Sequence, residues 1–559
     1  MESGGTVKAD GKRTLDDVLT VIGDLGPYQI RVLVLLNLAW ICSQLFMTLP
    51  AFDLAVPKHR CKILSNDSYE IQSDGHQKLI DRYIPESKTD LTEYEKCTSL
   101  TLQTNHSDSL NVTQKQSPSK CSSWVYDKET FSSTFVSEKD LVCDDRFLRS
   151  TANSVFYGGV LAGSFIYGVV SDLFGRRRTS LIGSILITVF SVAMAFVENY
   201  YAFVVIRFFL GTSLPGMFMS IYVIVMEWTG RSKRRLVCVV AGVIASVGEC
   251  LMVPFAYLVR QRKYLQITIT APVVAFTVVV FFFLPESPRW LLAQGRDEDV
   301  RELLKKAATV NKKELDDGYL KGLVSGEEKE TGRVYLLFKN WRLAVRTIII
   351  FYCWMVFNMV IYGLILNTEN LYGDFYINML LFAITSILSN FPPYFLVDRF
   401  GRSRTLSCLM AISGLACLST IFSVNFGGKE LQNLTTALAM FGRFCAGSAY
   451  LTIYLFSAEL YPTVVRNAGL GASSCCARIG SMISPFVAES ASLIAGKGGQ
   501  ALPLVIFGGL TIIGAFFSLL LPETMNKKLP DSVEDAVNLG RKSDENPATK
   551  AVDNVTTKL

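Results

Sequence analysis

The stretch Ser171-Asp172-Leu173-Phe174-Gly175-Arg176-Arg177-Arg178 joins two apolar runs, 149–170 and 179–197, and each run is long enough to cross a bilayer as a helix. Glycine permits the tight backbone that a hairpin between two membrane helices requires. Asp172 can cap a helix end or pair with a cation, and clustered arginines hold such a hairpin on the cytoplasmic side. The stretch therefore predicts a membrane hairpin with a basic cytoplasmic turn.

The same pattern returns in the second half of the chain as Val397-Asp398-Arg399-Phe400-Gly401-Arg402-Ser403-Arg404, again between two apolar runs. A second copy in an equivalent place indicates a duplicated membrane bundle. Three further echoes have a similar offset: Arg207-Phe208-Phe209-Leu210-Gly211 with Arg443-Phe444-Cys445-Ala446-Gly447, Glu227 before Arg231 with Glu459 before Arg466, and Pro285-Glu286-Ser287-Pro288-Arg289 with Pro522-Glu523-Thr524.

The composition agrees with a membrane protein. Of the 559 residues, 50% are hydrophobic and 19% are charged, which is too apolar for an ordinary soluble chain. The net charge of +6 comes from cations clustered in short loops between apolar runs, so it indicates topology and not a nucleic-acid-binding surface. Residues 1–27 are polar, and we expect no cleavable signal peptide.

The apolar runs predict an all-α membrane protein with twelve spans in two halves. A cytoplasmic N-terminus, 1–28, precedes the first half, 29–284; a cytoplasmic linker of short amphipathic helices, 285–342, leads to the second half, 343–521; and a cytoplasmic tail, 522–559, follows. The predicted spans are 29–49, 149–170, 179–197, 200–226, 236–259, 264–284, 345–366, 375–397, 405–424, 434–456, 468–490 and 501–521.

A long polar segment, 50–148, separates the first two spans and is expected to face the outside. Four cysteines in an exposed polar loop indicate two disulfides with three possible connectivities, or some free thiols. The three histidines are too scattered for a metal site, and we predict none. The segment contains Cys61, Cys97, Cys121 and Cys143, and the glycosylation acceptors Asn66, Asn105 and Asn111.

Three local motifs are more specific than the repeated hairpin. They are Pro57-Lys58-His59-Arg60-Cys61, Asp140-Leu141-Val142-Cys143-Asp144 and Ala458-Glu459-Leu460-Tyr461-Pro462-Thr463. With the repeated hairpin, they resemble the major facilitator superfamily, and within it the organic cation, anion and zwitterion (carnitine-type) transporters. The resemblance extends from Gly26-Pro27 to about Pro530. It implies two pseudo-symmetric six-helix halves, a large extracellular loop between helices 1 and 2, and a place in the plasma membrane with both termini cytoplasmic.

No catalytic constellation and no phosphate-binding P-loop occur in the sequence, so neither an enzyme nor an ATP-driven pump is expected. A duplicated bundle without an energy domain is expected to rock its halves around a midplane site. Transport then follows substrate gradients or a coupled ion such as sodium, and no cofactor is expected.

Charged residues at the inner ends of the spans are candidates for a cytoplasmic gate. Ion pairs among them would hold that side closed and break when it opens; the alternative is that they only anchor the topology. The candidates are Asp172, Arg176, Arg177, Glu227, Arg231, Glu286, Arg289, Asp398, Arg402, Glu459, Arg466 and Glu523.

Two charges inside the spans are candidates for substrate selection, because such charges are costly in a membrane. Arg478 lies in the eleventh span and Glu249 in the middle of the fifth. The resemblance implies an acid at the position of Arg478 in cation transporters and an arginine in anion and carnitine-type transporters. The planar guanidinium fork suits a carboxylate. Alternatively, Arg478 and Glu249 pair with each other or with backbone and only pack the bundle.

Aromatic residues are the second group of candidates for substrate binding, because their faces attract quaternary ammonium groups. Packing and interfacial roles are the alternative. At Asn390 the resemblance implies a lysine in anion transporters, which weakens a pure anion-exchanger interpretation. The candidates are Phe218, Tyr222, Trp354, Tyr362, Tyr450 and Tyr454.

We therefore predict a polyspecific secondary transporter of small organic cations or carnitine-like zwitterions. The alternatives are an organic anion/dicarboxylate exchanger and, from another class, a non-transporting membrane receptor or sensor, which would not need both duplicated loops and both inner glutamates. The expected partners are small organic ions, the lipid bilayer and scaffold proteins at the cytoplasmic tail, and not nucleic acid.

Overall fold

A computed structural model describes residues 15–85, 94–104, 114–315, 334–426, 431–492, 497–527 and 529–539. Long helices dominate this part of the chain. We label them α1 (Pro27–Thr48), α2 (Arg146–Phe174), α3 (Arg176–Phe196), α4 (Tyr200–Trp228), α5 (Arg234–Leu258), α6 (Arg262–Phe283), α7 (Trp341–Leu366), α8 (Phe375–Leu388 continued by Pro392–Phe400), α9 (Arg402–Phe426), α10 (Gln432–Leu460), α11 (Arg466–Glu489) and α12 (Lys497–Leu519).

These twelve helices match the twelve predicted spans. Within the described residues, ten helices are long and apolar enough to cross a membrane, and the bent α8 makes eleven. The remaining helix, α11, has the length of a span but contains Arg466, Arg478 and Glu489 among many glycines and serines. The twelve-helix membrane fold is therefore confirmed, and its least apolar helix is the one that contains the candidate Arg478.

The eighth span, predicted over 375–397, is bent and consists of two helical segments. Its two segments meet at an angle of 41°. Pro392 and Pro393 begin the second segment. Proline has no backbone N–H and disfavours the helical conformation of the residue before it, so the hydrogen-bond ladder breaks at Ser389–Phe391.

The helices form two halves, α1–α6 and α7–α12, which meet along two seams, α2 against α11 and α5 against α8. We call the end that contains the long loop between α1 and α2 the loop end. The opposite end, where the α2–α3 and α8–α9 turns lie, is the hairpin end. Both duplicated stretches thus lie at the same end, as the repeat predicts.

The long loop forms a small disulfide-linked domain. Cys61 pairs with Cys121 and Cys97 pairs with Cys143, each with a Cα–Cα distance of 5.7 Å. This is one of the three connectivities that the sequence left open. The domain contains strands β1 (His59–Cys61), β2 (Thr98–Thr104), β3 (Gln114–Lys120) and β4 (Trp124–Tyr126), paired antiparallel as β1–β4 and β2–β3, and the short helices Asp74–Tyr83 and Phe135–Lys139. The short helix Pro50–Asp53 extends the first span.

A buried ion pair stabilises this domain beside one of the glycosylation acceptors. Arg60 donates two hydrogen bonds to Asp67, at 2.7 and 2.8 Å, and His76 Nε2 lies 3.0 Å from the same carboxylate. Burial by itself would raise the pKa of Asp67, but the Arg60, Ile63 and His76 hydrogen bonds and the Arg60 charge hold that pKa at about 2. Asn66 lies next to this pair on an exposed turn. Asn105 and Asn111 lie outside the described residues.

Short helices cover the hairpin end. One of them, Leu15–Ile22, belongs to the predicted cytoplasmic N-terminus, 1–28, whose secondary structure was not predicted. It buries Leu15, Val18, Leu19 and Ile22, and Asp16 binds both Arg234, at 2.9 Å, and Arg289, at 2.6 Å. The others are Pro288–Ala293, Asp297–Val310 and Val533–Asn538, with the 3-10 turns Arg231–Lys233 and Val334–Leu337. The 3-10 turns Cys143–Asp145, Asn367–Asn370 and Ser490–Ser492 lie at the loop end.

Candidate functional site

The duplicated turns at the hairpin end share one construction. Gly175 and Gly401 have positive φ angles of 95° and 90°, which glycine adopts without strain. Glu286 accepts hydrogen bonds from the amides of Arg176 and Arg177 at the start of α3. In the second half, Glu523 accepts the equivalent bonds at the start of α9, from the amides of Arg402, at 2.8 Å, and Ser403, at 3.1 Å.

These glutamates therefore act as helix caps. A carboxylate at a helix N-terminus satisfies free backbone donors and is favoured by the helix dipole. A Cβ atom at either glycine would collide with the capping carboxylate. The duplicated glycine is thus required both by its φ angle and by the close approach of the glutamate.

The side chains of the turn arginines bind carboxylates. Arg402 is bidentate to Glu459, at 3.0 and 3.1 Å, and lies 3.6 Å from Asp398. In the first half, Arg176 pairs with Asp172 at 2.9 Å. These pairs join residues of one half, so in this conformation they tie each turn to its own half.

The other gate candidates have mixed partners. Arg177 donates to the Phe281 carbonyl, at 2.6 Å, and Glu227 accepts a hydrogen bond from Ser287. Arg289 binds Asp16, and Arg466 donates to the Tyr461 carbonyl, at 3.2 Å. The side chain of Arg231 lies outside the described part of the structure, and the gating role of the whole set stays a prediction.

At the loop end, charged residues that were not among the sequence-based candidates join the two halves. Arg149 on α2 binds Glu369, at 2.5 Å, and Glu489, at 2.6 Å, both from the second half. Nearby, Ser150 and Ser154 donate to backbone carbonyls of α11. We call Arg149, Glu369 and Glu489 the loop-end cluster. It closes the α2–α11 seam in this conformation.

Near the middle of α11, Arg478 is a half-buried cation without a counter-ion. Its Nε–H is buried and finds no acceptor, and the described residues provide no hydrogen bond or ion pair to its guanidinium. The alternative that Arg478 pairs with Glu249 is therefore not what the structure shows. An unpaired guanidinium in a low-dielectric interior favours an anionic ligand.

Two tyrosines lie near this cation. Tyr450, which was a sequence-based candidate, and Tyr157, which was not, both lie within electrostatic range of Arg478. The Tyr157 and Tyr362 rings are 5.0 Å apart and come from opposite halves. We call Arg478, Tyr157, Tyr362 and Tyr450 the central site.

Trp354 is buried and packs against a tyrosine of the central site, Tyr450. Its side chain is only 1% exposed, and its indole N–H donates to Ser457 at 3.0 Å. Its ring packs against Tyr450 and Tyr454 with centroid distances of 5.5 and 5.4 Å. Trp354 can therefore orient both tyrosines, and direct contact with a ligand stays a prediction.

The remaining aromatic candidates lie on α4 and α10. Tyr222 interacts with Tyr454 across the interface of the halves, and its hydroxyl lies 3.5 Å from Cys238 Sγ. Phe218 is buried against Trp40, with a centroid distance of 4.8 Å. Tyr222 and Tyr454 thus lie where the halves face each other, whereas Phe218 packs within the first half.

Glu249 pairs with Arg443, and this pair joins the two halves. The Arg443 guanidinium contacts the Glu249 carboxylate, donates to Ser386 Oγ at 2.8 Å and to the Ile361 carbonyl at 2.8 Å, and lies over the Phe382 ring. Ile361 precedes Tyr362 on α7, so this pair contacts the backbone of the helix that carries Tyr362.

The equivalent arginine of the first repeat, Arg207, pairs within its own half. It binds Asp53, at 3.1 Å, and Asn153, at 3.0 Å, and all three side chains are buried. In the sequence, Arg207 and Arg443 served only as markers of the repeat. Their position inside apolar spans was a signal that would have identified both as functional candidates.

Comparison with known proteins agrees with this architecture. The family model described as "Sugar (and other) transporter" matches residues 103–534. The chain is 35% identical to the organic cation transporter protein of Drosophila melanogaster over 94% of this chain and 95% of that protein. It is 30% identical to organic cation/carnitine transporter 2 of Homo sapiens over 93% and 94% of the two chains.

The fold is similar to that of the xylose transporter XylE from E. coli in a partially occluded inward open conformation. The TM-score is 0.55 at 13% identity, over 88% of this chain and 98% of that one. From the family model and these full-length relatives, the chain is a transporter of the sugar (and other) transporter family within the major facilitator superfamily, in its branch of organic cation and carnitine transporters.

Proposed function

We propose that this protein carries small organic ions with a carboxylate group across the plasma membrane, and that carnitine-like zwitterions are its preferred class. The observation that carries the proposal is the unpaired guanidinium of Arg478 in the central site. Burying a cation without a partner is costly, and a bound carboxylate would remove that cost while accepting two parallel hydrogen bonds.

The tyrosines of the central site supply what the rest of a zwitterion needs. Their faces attract a trimethylammonium group and their hydroxyls can hydrogen-bond to a substrate. Tyr157 and Tyr362 come from opposite halves, so a ligand that binds beside this ring pair would contact both bodies that move in alternating access. The names of the relatives, which include a cation/carnitine transporter, support the same class.

A second candidate is an organic anion, because the acidic residue near the site is already occupied. In this conformation Glu249 is neutralised by Arg443, so the free charge at the central site is positive. Asn390, where the resemblance implies a lysine in anion transporters, binds the Ser386 carbonyl at 2.8 Å and lies 3.4 Å from Ser246. The site thus offers one cation to a ligand, which favours a monocarboxylate over a dicarboxylate.

We infer further that the loop end faces the outside and that both termini are cytoplasmic. Two disulfides and the exposed acceptor Asn66 favour an oxidising, glycosylating environment for the loop domain. The arginine-rich turns at the other end favour the cytoplasm. No resident cofactor is proposed, sodium remains a candidate coupling ion, and the binding of scaffold proteins to the tail, 522–559, stays a prediction.

The test is uptake of radiolabelled carnitine, a model organic cation and p-aminohippurate in cells, each with and without sodium. Wild type is compared with Arg478→Ala and Arg478→Lys at equal surface abundance. We expect carnitine uptake that disappears in Arg478→Ala and is only partly kept in Arg478→Lys, because lysine retains the charge but loses the fork. Cation uptake that survives both changes, without carnitine uptake in wild type, would refute the proposal.

A further inference from the structure

Glu249 lies in the middle of the α5 face that packs against α8. On α5, Gly242, Ser246, Glu249 and Ala256 follow one another at helical spacing of three, four or seven residues, so they share a face. Ser246 lies against Asn390, and the Ala256 carbonyl accepts a hydrogen bond from Tyr376 at the loop end. Glu249 is therefore inserted into the second half along a surface that separates when the loop end opens.

Arg443 is held almost entirely by its own half. Its hydrogen bonds to Ser386 and Ile361 and the Phe382 ring beneath it come from α7 and α8, so they persist when the halves part. Glu249, by contrast, is paired with a residue of the other half. Its charge partner in the described part of the chain is Arg443, and that partner belongs to the other half.

We propose that Glu249 binds the ammonium group of the substrate when the loop end is open, and that Arg443 displaces this ammonium as the loop end closes. This inference rests on the proposed function. When the seam opens, Arg443 keeps its neutral partners, whereas Glu249 loses its counter-ion and attracts a cation. When the seam closes, the guanidinium and the ammonium compete for one carboxylate.

The exchange gives the two conformations different affinities for the same ligand. In the loop-end-open state the ligand meets both Glu249 and Arg478, so carboxylate and ammonium are both bound. In the closed state only Arg478 is free, and the ligand is held at one end. A ligand shifts a conformational equilibrium only through such a difference, which here favours loading at the loop end and release at the hairpin end.

The first measurement isolates the ammonium group. We would compare inhibition of carnitine uptake by γ-butyrobetaine and by 5,5-dimethylhexanoate, which replaces the charged nitrogen with carbon. In wild type we expect the betaine to inhibit at concentrations about tenfold lower than the carbon isostere does. A tenfold difference corresponds to about 1.4 kcal/mol, the contribution expected of one ion pair between the ammonium group and Glu249. Glu249→Gln should remove most of this preference and leave inhibition by the isostere nearly unchanged. Glu249→Asp should retain part of it.

The second measurement follows the seam without any substrate. A cysteine at Ala256, which is buried in this state, is labelled with a membrane-impermeant maleimide, and labelling of the parent chain is subtracted. Glu249→Gln and Arg443→Gln should each raise the labelling rate several-fold, because each removes the charge pair that closes the seam. The exchanged pair Glu249→Arg with Arg443→Glu should return labelling to the parent rate without restoring the betaine preference.

These outcomes separate the two proposals. If wild type takes up no carnitine, the proposed function fails. If it does take up carnitine and Glu249→Gln keeps the betaine preference, the present inference alone is overturned. If the exchanged pair regains both the slow labelling and the preference, Glu249 is only part of the closure, and its role as an ammonium site is refuted.

Discussion

The two repeated arginines, Arg207 and Arg443, occupy equivalent places in one motif and hold different parts of the molecule together. Arg207 binds Asp53 and Asn153, which belong to its own half. Arg443 binds Glu249, which belongs to the other half. Both guanidiniums also lie over aromatic rings, Arg207 over Phe156 and Phe203 and Arg443 over Phe382.

The difference shows how a duplicated structural contact can become a moving one. An ion pair within a half keeps its geometry through a rocking motion, so it contributes to stability in every state. An ion pair between halves exists only in one state, so it contributes to the equilibrium between states. Arg207, with its partner Asp53 in the same half, forms a pair of the first kind, and Arg443, with its partner Glu249 on α5, forms a pair of the second kind.

The largest effect is expected from Arg207→Ala. This change leaves the Asp53 carboxylate buried without its cation in all conformations, and breaking such a pair costs about 3–5 kcal/mol. Thermal unfolding of the purified protein in detergent should show a clear loss of stability. Arg443→Ala is the matched control and should lose less, because Glu249 can reach water when the seam opens. Equal losses would contradict the distinction between the two arginines.

A smaller effect is expected from Arg149→Ala at the loop-end cluster. Glu369 and Glu489 then repel each other without their shared cation, which should favour the open loop end by about 1–3 kcal/mol. Distances between spin labels at the loop ends of α2 and α11 would report the opening. Ser150→Ala removes one neutral hydrogen bond of the same seam and should shift the distances little. A closed distribution in Arg149→Ala would show that the cluster does not hold the seam.

The Arg60–Asp67 pair extends the comparison to a domain outside the membrane. Because the pKa of Asp67 is lowered to about 2 from an ordinary value near 3.8, the carboxylate stabilises the folded domain above pH 4, and this stabilisation is lost as the pH falls toward 2. Asp67→Asn should remove on the order of 1–2 kcal/mol at pH 7 and flatten the acid dependence. It also preserves the Asn66 acceptor pattern.

Acid unfolding of the loop domain, followed by near-ultraviolet circular dichroism, would measure this prediction. An unchanged acid profile in Asp67→Asn would mean that the pair contributes nothing beyond packing. Asp81→Asn, a change at a surface carboxylate of the same domain, serves as the control.

The smallest effect is expected at the hairpin end. Glu459→Gln weakens the bidentate contact with Arg402, and we expect transport turnover to fall about fivefold, which is about 1 kcal/mol of activation free energy, at nearly unchanged surface abundance. Turnover should fall less in Glu227→Gln, because among the described side chains Glu227 accepts a hydrogen bond from the Ser287 hydroxyl and forms no arginine pair. Turnover measured per transporter at the surface would test both, and unchanged turnover in both would argue against a gate.

Much of the fold could be predicted from the sequence, because its signals are local. Apolar length predicts a span, the basic glycine turn predicts the side of the membrane, and the repetition of that turn predicts two halves. The bend in α8 also has a local cause, Pro392 and Pro393, but the predicted span over 375–397 did not include a bend. Four loop cysteines indicated two disulfides, whereas their pairing depends on how β1 and β4 come together.

For the site, the sequence predicted individual candidate residues but not their partners. Arg478 and Glu249 were selected because charge inside a span is costly, and that reasoning needs one residue at a time. Which of them has a partner depends on helices far apart in the chain: Glu249 is neutralised by Arg443 on α10, and Arg478 is left unpaired beside Tyr157 on α2. By itself, the sequence determined which groups enter the membrane. Only the tertiary structure decided which charges cancel there, because the partner of a buried charge is set by which helices pack together.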